Sequence, residues 1–347
     1  WGNDSSARTD RAMRRPVPSS IAGELRAISG VRCWANAPMA PFTTIGTGGK
    51  AGMLLTVSDR GALVDVLAAL DRADLPWLSL GAGSNLLVAD EGYAGVLVKL
   101  DESFHYVEGL PDVADRDRAR DDAPVVLTVG GGAFLARLSA VVAETGLSGL
   151  EFACGIPGSL GGGVAMNAGA HGGCLADVVD AIEVAYCGGL GWVDGASLHW
   201  SYRRCELPEG ALVSAVRLRL RPADAAAVLD EQRALLRRRR QSQPRGVRTF
   251  GSVFKNPAGD SAGRLLDAAG VKGLRRGGAE VSTVHANFLV NLGDATTGDM
   301  LTLMALMREA VRRSEGILLE PEVRLLGAEF PWEQAEGGSS APARPHG

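Results

Sequence analysis

The chain has 347 residues, 46% of them hydrophobic and 22% charged, which is ordinary for a globular protein and long enough for two or three domains. Thirty-six Lys and Arg against 40 Asp and Glu leave a net charge of −4, so no global basic field points to nucleic acid. Five cysteines without C-x-x-C spacing and five histidines without H-x-x-H spacing exclude a disulfide framework and a metal motif, and no apolar run reaches the ~20 residues that span a bilayer.

Residues 1–21 carry Arg8, Arg11, Arg14 and Arg15 but no hydrophobic core, so they read as a disordered extension and not as a secretory signal, with Met13 a candidate natural start. A first block, residues 22–100, alternates short helical and extended pieces. Ala62, Leu63, Val66, Leu67 and Leu70 recur at helical spacing behind a candidate cap at Ser58. Trp77–Leu80 and Gly95–Leu100 read as strands on either side of Gly81-Ala-Gly-Ser-Asn85. Gly46 to Ala51 formally fits G-x-G-x-x-A, but no strong apolar strand precedes it and no helix opens on it. A dinucleotide-binding βαβ unit is therefore rejected, and Thr43 to Gly49 reads as polar lining.

A second block, residues 101–222, opens with a charged loop over 112–122. A strand follows at Val125–Val129, then a helix whose apolar stripe is Phe134, Leu135, Leu138, Val141 and Val142. Next comes the most informative stretch of the chain, Leu150 to Gly173, with eight glycines, one proline and almost no charge. Such a loop cannot order itself by burying side chains, because glycine has none and loses the most backbone freedom. It makes sense where backbone N–H groups must lie close against phosphate oxygens. Arg203 and Arg204 fall in an expected strand after Leu198, which lets at most one of them face a given cleft. Val216–Leu220 alternates with the period of a strand.

The third block, residues 223–330, begins with a helix from Ala225 to Leu236 and four arginines, Arg237–Arg240. These read either as a solvated helix end complementing the helix dipole or as a phosphate site. Gly251-Ser-Val-Phe-Lys-Asn-Pro257 gathers a hydroxyl, an ammonium and an amide without a G-x-S-x-G elbow, so Ser252 suits a proton or hydrogen-bond donor better than a nucleophile. His285 reads as a structural histidine. Met300–Arg313 is an amphipathic helix with Met304 and Met307 in the core, and Leu318–Leu326 reads as a strand placing Glu320, Glu322 and Arg324 on one face. A carboxylate among apolar neighbours, as at Glu322, implies either a salt bridge or a function. The remaining residues, 331–347, read as a disordered tail. The pattern as a whole is α+β.

Taken in order, Thr43–Ala51, Leu80–Asp90, Gly149–Gly173, Tyr202-Arg203, Gln243-Pro244, Gly251–Pro257, Ala262–Gly273, His285–Asn291 and Leu319–Arg324 resemble the UDP-N-acetylenolpyruvoylglucosamine reductase (UDP-N-acetylmuramate dehydrogenase) family of bacterial cell-wall precursor synthesis. The resemblance covers Ala22 to Gly327, and the short spacing from Arg203 to Ser252 resembles its type II branch. It implies an FAD-binding module of the vanillyl-alcohol-oxidase/PCMH type, made of two subdomains, followed by an α+β substrate domain. Arg203, Ser252 and Glu322 match the catalytic positions, with Ser252 the general acid and the other two stabilising the intermediate. Tyr202, Lys255 and Asn256 match substrate contacts. Gly81, Ala82, Gly83, Ser84 and Asn85 match the flavin cradle, together with Gly155, Ile156, Pro157, Gly158, Ser159, Gly161, Gly162, Asn167, Gly169 and His171. The implied reaction has NADPH reduce FAD and leave, after which UDP-N-acetylglucosamine enolpyruvate receives a hydride from flavin N5 and a proton from Ser252. A cytoplasmic protein with small-molecule partners and without metal is the corresponding expectation, its oligomeric state open with a monomer favoured. Cys205 stands where the family commonly has serine, His171 where it has tyrosine and Ala82 where glycine is frequent. A flavin-dependent paralogue acting on another nucleotide-linked enol ether in secondary metabolism is the alternative reading.

Overall fold

The computed structural model describes residues 16–111 and 123–333. Met13, the N-terminal arginines, the charged loop 112–122 and most of the expected tail lie outside the described residues. The chain forms two compact units. The first contains residues up to 37 together with 51–84 and 94–242; the second contains 38–50, 85–93 and everything from 243. This division departs from the three consecutive blocks read from the sequence. The short segments 38–50 and 85–93 leave the first block for the second unit, and the helix Ala225–Ser242 belongs to the first unit instead of opening a substrate block. The expected N-terminal extension also ends earlier than residue 21, because a helix begins at Ser19 and buries Ala22 and Leu25.

In the first unit, a four-stranded sheet has the order Val31–Pro38, Lys50–Val57, Tyr93–Leu100, Trp77–Ser79. The helix Arg60–Arg72 buries the whole stripe Ala62, Leu63, Val66, Leu67 and Leu70 in its core. Its cap is Asp59, whose carboxylate accepts from the Ala62 N–H at 2.8 Å. Ser58 instead donates its hydroxyl to the Gly30 carbonyl at 3.0 Å. A carboxylate beside the positive helix end is the better cap of the two.

A second, antiparallel sheet runs Gly189–Asp194, Val179–Tyr186, Leu212–Pro222, Val125–Gly130, Val107–Glu108. Along Leu212–Pro222, Leu218 and Leu220 are buried while Arg217, Arg219 and Arg221 face out, the expected period of two. The helix Leu135–Glu144 covers this sheet with Leu135, Leu138 and Val142. Phe134 is not part of its stripe: it is the N-cap residue and is 47% exposed. The long helix Ala225–Ser242 is fixed to it by a buried polar relay. Gln232 donates to the Ser139 hydroxyl at 2.8 Å, and Ser139 donates to the Leu150 carbonyl at 2.7 Å, at the head of the glycine loop.

The second unit is built around the helix Thr297–Glu315, which buries Met300, Leu303, Met304, Met307 and Val311. A reciprocal Thr296–Asp299 capping box starts it and Gly316, at φ 70°, ends it. A three-stranded sheet (Arg275–Arg276, Ala279–Val281, Leu289–Asn291) lies beside it. The expected strand Leu318–Leu326 is much shorter, Arg324–Leu326, and pairs in parallel with Leu86–Val88. Pro321 breaks the longer run because it has no N–H to give a ladder, and it makes only an isolated bridge with Phe254. No helix among the described residues is long and apolar enough to cross a membrane.

Candidate functional site

In the first unit the two glycine loops, about 70 residues apart in sequence, meet. The Ser84 hydroxyl donates to the Pro157 carbonyl at 3.1 Å. A Cβ on Gly81 would lie 2.5 Å from the Ser159 hydroxyl oxygen, so a larger residue there would displace that hydroxyl. Gly158 sits at φ +133°, a conformation that L side chains avoid, and a Cβ there would come within 3.2 Å of the Ser84 oxygen. Gly83 and Gly155 adopt φ values of 66° and 70°. Behind them, Gly161 N–H is held by the Gly131 carbonyl and Leu160 N–H by the Ala133 carbonyl, both at 2.8 Å. The segments Gly81–Ser84 and Gly155–Gly162 contain hydroxyls and backbone donors but no carboxylate, a donor set suited to an anionic diphosphate. The residues present therefore fit FAD.

Asn167, at φ 39°, links this cradle to the next functional element. Its side chain accepts from Ala176 N–H and donates to the Ser201 carbonyl, both at 3.1 Å. Both ends of the amide are thus committed to holding the chain, which makes Asn167 an organiser of the loop. Ser201 pairs with Arg204 across a hairpin, so Tyr202 and Arg203 form its two-residue turn. The expected strand through Arg203 is therefore replaced by a tight turn, with Arg203 at φ 60°. Its guanidinium donates to the Gly169 carbonyl at 2.9 Å and lies 5.3 Å from the centre of the Tyr202 ring, which is 55% exposed. Arg204, on the strand, pairs with Glu206 at 3.1 Å.

The arginine run is not a uniform solvated helix end. Arg237, Arg238 and Arg240 are exposed, but Arg239 is half-buried, with its Cδ 3.2 Å from where a Gly155 Cβ would stand. Burial holds its guanidinium below the ordinary value, with Cys154 opposing and Arg203 adding to the effect. His171, in the same loop, is pushed down by partial burial and then by Arg239 and Arg238. A neutral imidazole therefore sits beside several fixed positive charges. Cys205 is 1% exposed in the apolar core, and burial raises its thiol to about 11.

The second unit holds the remaining candidates on one strip. Ser252 bridges Phe288, and Phe254 bridges Pro321. Glu322 N–H donates to the Val253 carbonyl at 2.8 Å and Lys255 N–H to the Glu320 carbonyl at 2.9 Å, so Ser252, Lys255 and Glu322 lie on two adjoining extended segments. Lys255 also forms an ion pair with Glu320 at 3.2 Å. The Asn85 amide donates to the Glu322 carbonyl at 3.0 Å and its own carbonyl accepts from Arg324 N–H at 3.1 Å, so this cradle candidate is tied to the Glu322 segment. Asn256 accepts from Ala262 N–H at 3.0 Å, a local structural bond. Within the expected polar lining Thr43–Gly49, Thr43 and Thr47 are 7% and 3% exposed and Thr47 accepts from the Thr297 hydroxyl at 3.0 Å, while Thr44 is exposed. His285 accepts from Asn287 N–H at 3.2 Å and packs against Phe288, as a structural histidine does.

Sequence reasoning missed Lys99, whose ammonium donates to the Gly81 carbonyl at 3.0 Å, and Asn287, which holds the Ser252 segment through Phe254. A lysine within the apolar run Gly95-Val-Leu-Val-Lys-Leu100 was the available signal for the first. Asn287 carried no signal, because its partner is 33 residues away.

Comparison with known proteins gives a consistent result. Residues 243–326 match the UDP-N-acetylenolpyruvoylglucosamine reductase C-terminal domain, and residues 51–190 match an FAD binding domain. A UDP-N-acetylenolpyruvoylglucosamine reductase of Anaeromyxobacter sp. (strain Fw109-5) is 47% identical over 87% of this chain and 91% of its own. That of Myxococcus xanthus is 41% identical over 90% of this chain and 97% of its own. The crystal structure of the reductase from Thermus caldophilus superposes with a TM-score of 0.71 at 36% identity, covering 85% of this chain and 98% of that one. The α+β chain with its carboxylate-free glycine cradle is an FAD-dependent oxidoreductase, and it belongs to the UDP-N-acetylenolpyruvoylglucosamine reductase family.

Proposed function

We propose that this protein reduces the enolpyruvyl group of UDP-N-acetylglucosamine enolpyruvate to the lactyl ether of UDP-N-acetylmuramate, with NADPH as the source of reducing equivalents, in the cytoplasm. Family membership is the observation that carries the reading, and the resemblance assigns the catalytic positions to Arg203, Ser252 and Glu322. When bound, FAD supplies hydride transfer. The residues of the chain supply position, charge and a proton.

Arg203 supplies positive charge for the enolate-like species that develops beside the substrate carboxylate. Its guanidinium is already oriented by the Gly169 carbonyl, so little reorganisation is needed as charge builds. Glu322, hydrogen-bonded or protonated, stabilises the same species; a bare carboxylate would repel it. Ser252 delivers the proton to the enolate carbon. A hydroxyl is a weak acid, but an aligned enolate is a strong enough base to take its proton. Tyr202, Lys255 and Asn256 hold the substrate. Arg239 adds positive charge suited to an anionic nucleotide.

The test is Ser252→Ala studied one half-reaction at a time without oxygen. Flavin bleaching by NADPH is expected to stay within a few-fold of wild type, while reoxidation by the enolpyruvyl substrate slows by about 10²–10⁴. Equal slowing of both half-reactions, or no slowing of the second, would remove Ser252 from the proposed role.

A further inference from the structure

Lys99 lies on the strand Tyr93–Leu100 among buried valines and leucines. The strand Trp77–Ser79 pairs with it in parallel, Ser79 opposite Val98, and Leu80 N–H continues the pairing to the Val98 carbonyl at 2.8 Å. Lys99 is therefore the residue beside which the chain leaves the sheet to form the Gly81–Ser84 loop. Its half-buried ammonium donates to the Gly81 carbonyl at 3.0 Å, and that bond uses one of its three donors. Among the described residues no carboxylate forms an ion pair with it.

A buried cation without a counter-charge is unfavourable, and burial lowers the readiness of Lys99 to carry its proton. Asp101 and Glu102 lie in the same neighbourhood, where they oppose the lowering of His105 by burial, Lys99 and Arg137, but neither forms an ion pair with Lys99. A Cβ on Gly81 would approach Ser159, in the acid-free segment Gly155–Gly162. A half-buried ammonium with one hydrogen bond and no ion pair among the described residues suits an anionic ligand.

We propose that Lys99 is a positioning and counter-charge residue for the diphosphate of FAD. By holding the Gly81 carbonyl toward the sheet, it fixes the direction in which the following loop leaves the strand. Its ammonium supplies positive charge at the Gly81 end of the carboxylate-free loops, as Arg239 does beside Gly155. The inference rests on FAD as the cofactor and not on the identity of the substrate reduced.

The experiment is fluorescence titration of the apo-protein with FAD and, separately, with riboflavin, which has the same ring system and no phosphate. Lys99→Gln keeps an N–H donor for the Gly81 carbonyl and removes the charge; Lys99→Arg keeps the charge. K99Q is expected to weaken FAD about ten- to a hundred-fold. Riboflavin is expected to stay within about twofold, since it offers no charge for Lys99 to meet, and K99R is expected to restore most of the FAD affinity. Added salt is expected to weaken FAD binding more in wild type than in K99Q. FAD affinity unchanged in K99Q, or an equal loss of FAD and riboflavin, would overturn the proposal. Because only binding is read, a failed substrate assignment would not alter either result.

Discussion

Asn287 closes both backbone hydrogen bonds of Phe254: its side-chain oxygen accepts from the Phe254 N–H at 2.9 Å and its amide donates to the Phe254 carbonyl at 2.8 Å. Both residues are buried, at 3% and 0% exposure. A side chain thus completes the pairing of an extended segment whose own bridges are isolated, and that segment carries Ser252 and Lys255. Asn287→Leu leaves a buried N–H and a buried carbonyl without partners, at about 1–3 kcal/mol each. We expect urea unfolding to shift by about 2–6 kcal/mol, with a further loss of turnover. A shift below about 0.5 kcal/mol would show that the segment holds itself.

Gly158→Ala tests the cradle. The substitution forces a side chain into φ +133° and toward the Ser84 oxygen, a strain of about 1–3 kcal/mol at the point where the two loops meet. The variant is expected to purify with markedly less flavin per chain than wild type, measured by absorbance after denaturation. A full complement of flavin would place the cofactor away from this contact.

What could be read in the sequence was what is local. The loops at Gly81–Ser84 and Gly155–Gly162 were legible because glycine, serine and proline report the backbone geometry at their own positions. The Tyr202–Arg203 turn was not, since neither residue is a usual turn former and the flanking residues alternate like a strand. Asn287 acts through Phe254, 33 residues away, which no local pattern encodes; Lys99 was marked only by its place in an apolar run, and which of Arg237–Arg240 turns inward depends on the distant Gly155. The segments 38–50 and 85–93 joined the second unit for a similar reason. Their bonds, such as Asn291 to the Ile45 carbonyl and Asp90 to Thr297 N–H, both at 2.9 Å, span more than 200 residues.

Cys205 is predicted to be inert. With its thiol raised to about 11, the thiolate fraction at pH 8 is on the order of one in a thousand, and the group is buried as well. Exposed Cys187 is expected to react with a thiol reagent within minutes, and Cys205 only on unfolding. Mass mapping of the modified peptides decides this; early labelling of Cys205 would contradict its place in the core.

Acid sensitivity is expected at the start of the helix Ala262–Ala268. Asp260 is held down to about 2, first by the hydrogen bond from Arg264 and then by Ser261 N–H. A carboxylate depressed on folding contributes stability above its ordinary value, 3.8, and loses it as pH falls through about 2. The difference in melting temperature between wild type and Asp260→Asn should therefore be largest near neutral pH and vanish toward pH 2. The ion pair is surface-exposed, so high salt should shrink the difference. A difference independent of pH would assign the effect to something other than this charge.

The most direct measurement is the visible spectrum of the purified protein under anaerobic conditions, taken before and after NADPH and again after UDP-N-acetylglucosamine enolpyruvate. The proposed function predicts a yellow protein that bleaches with NADPH and recovers its absorbance on addition of the substrate, with one UDP-N-acetylmuramate formed per flavin. Bleaching that persists in the presence of the substrate would contradict the assigned acceptor, and a protein that takes up no FAD would contradict the account at its base.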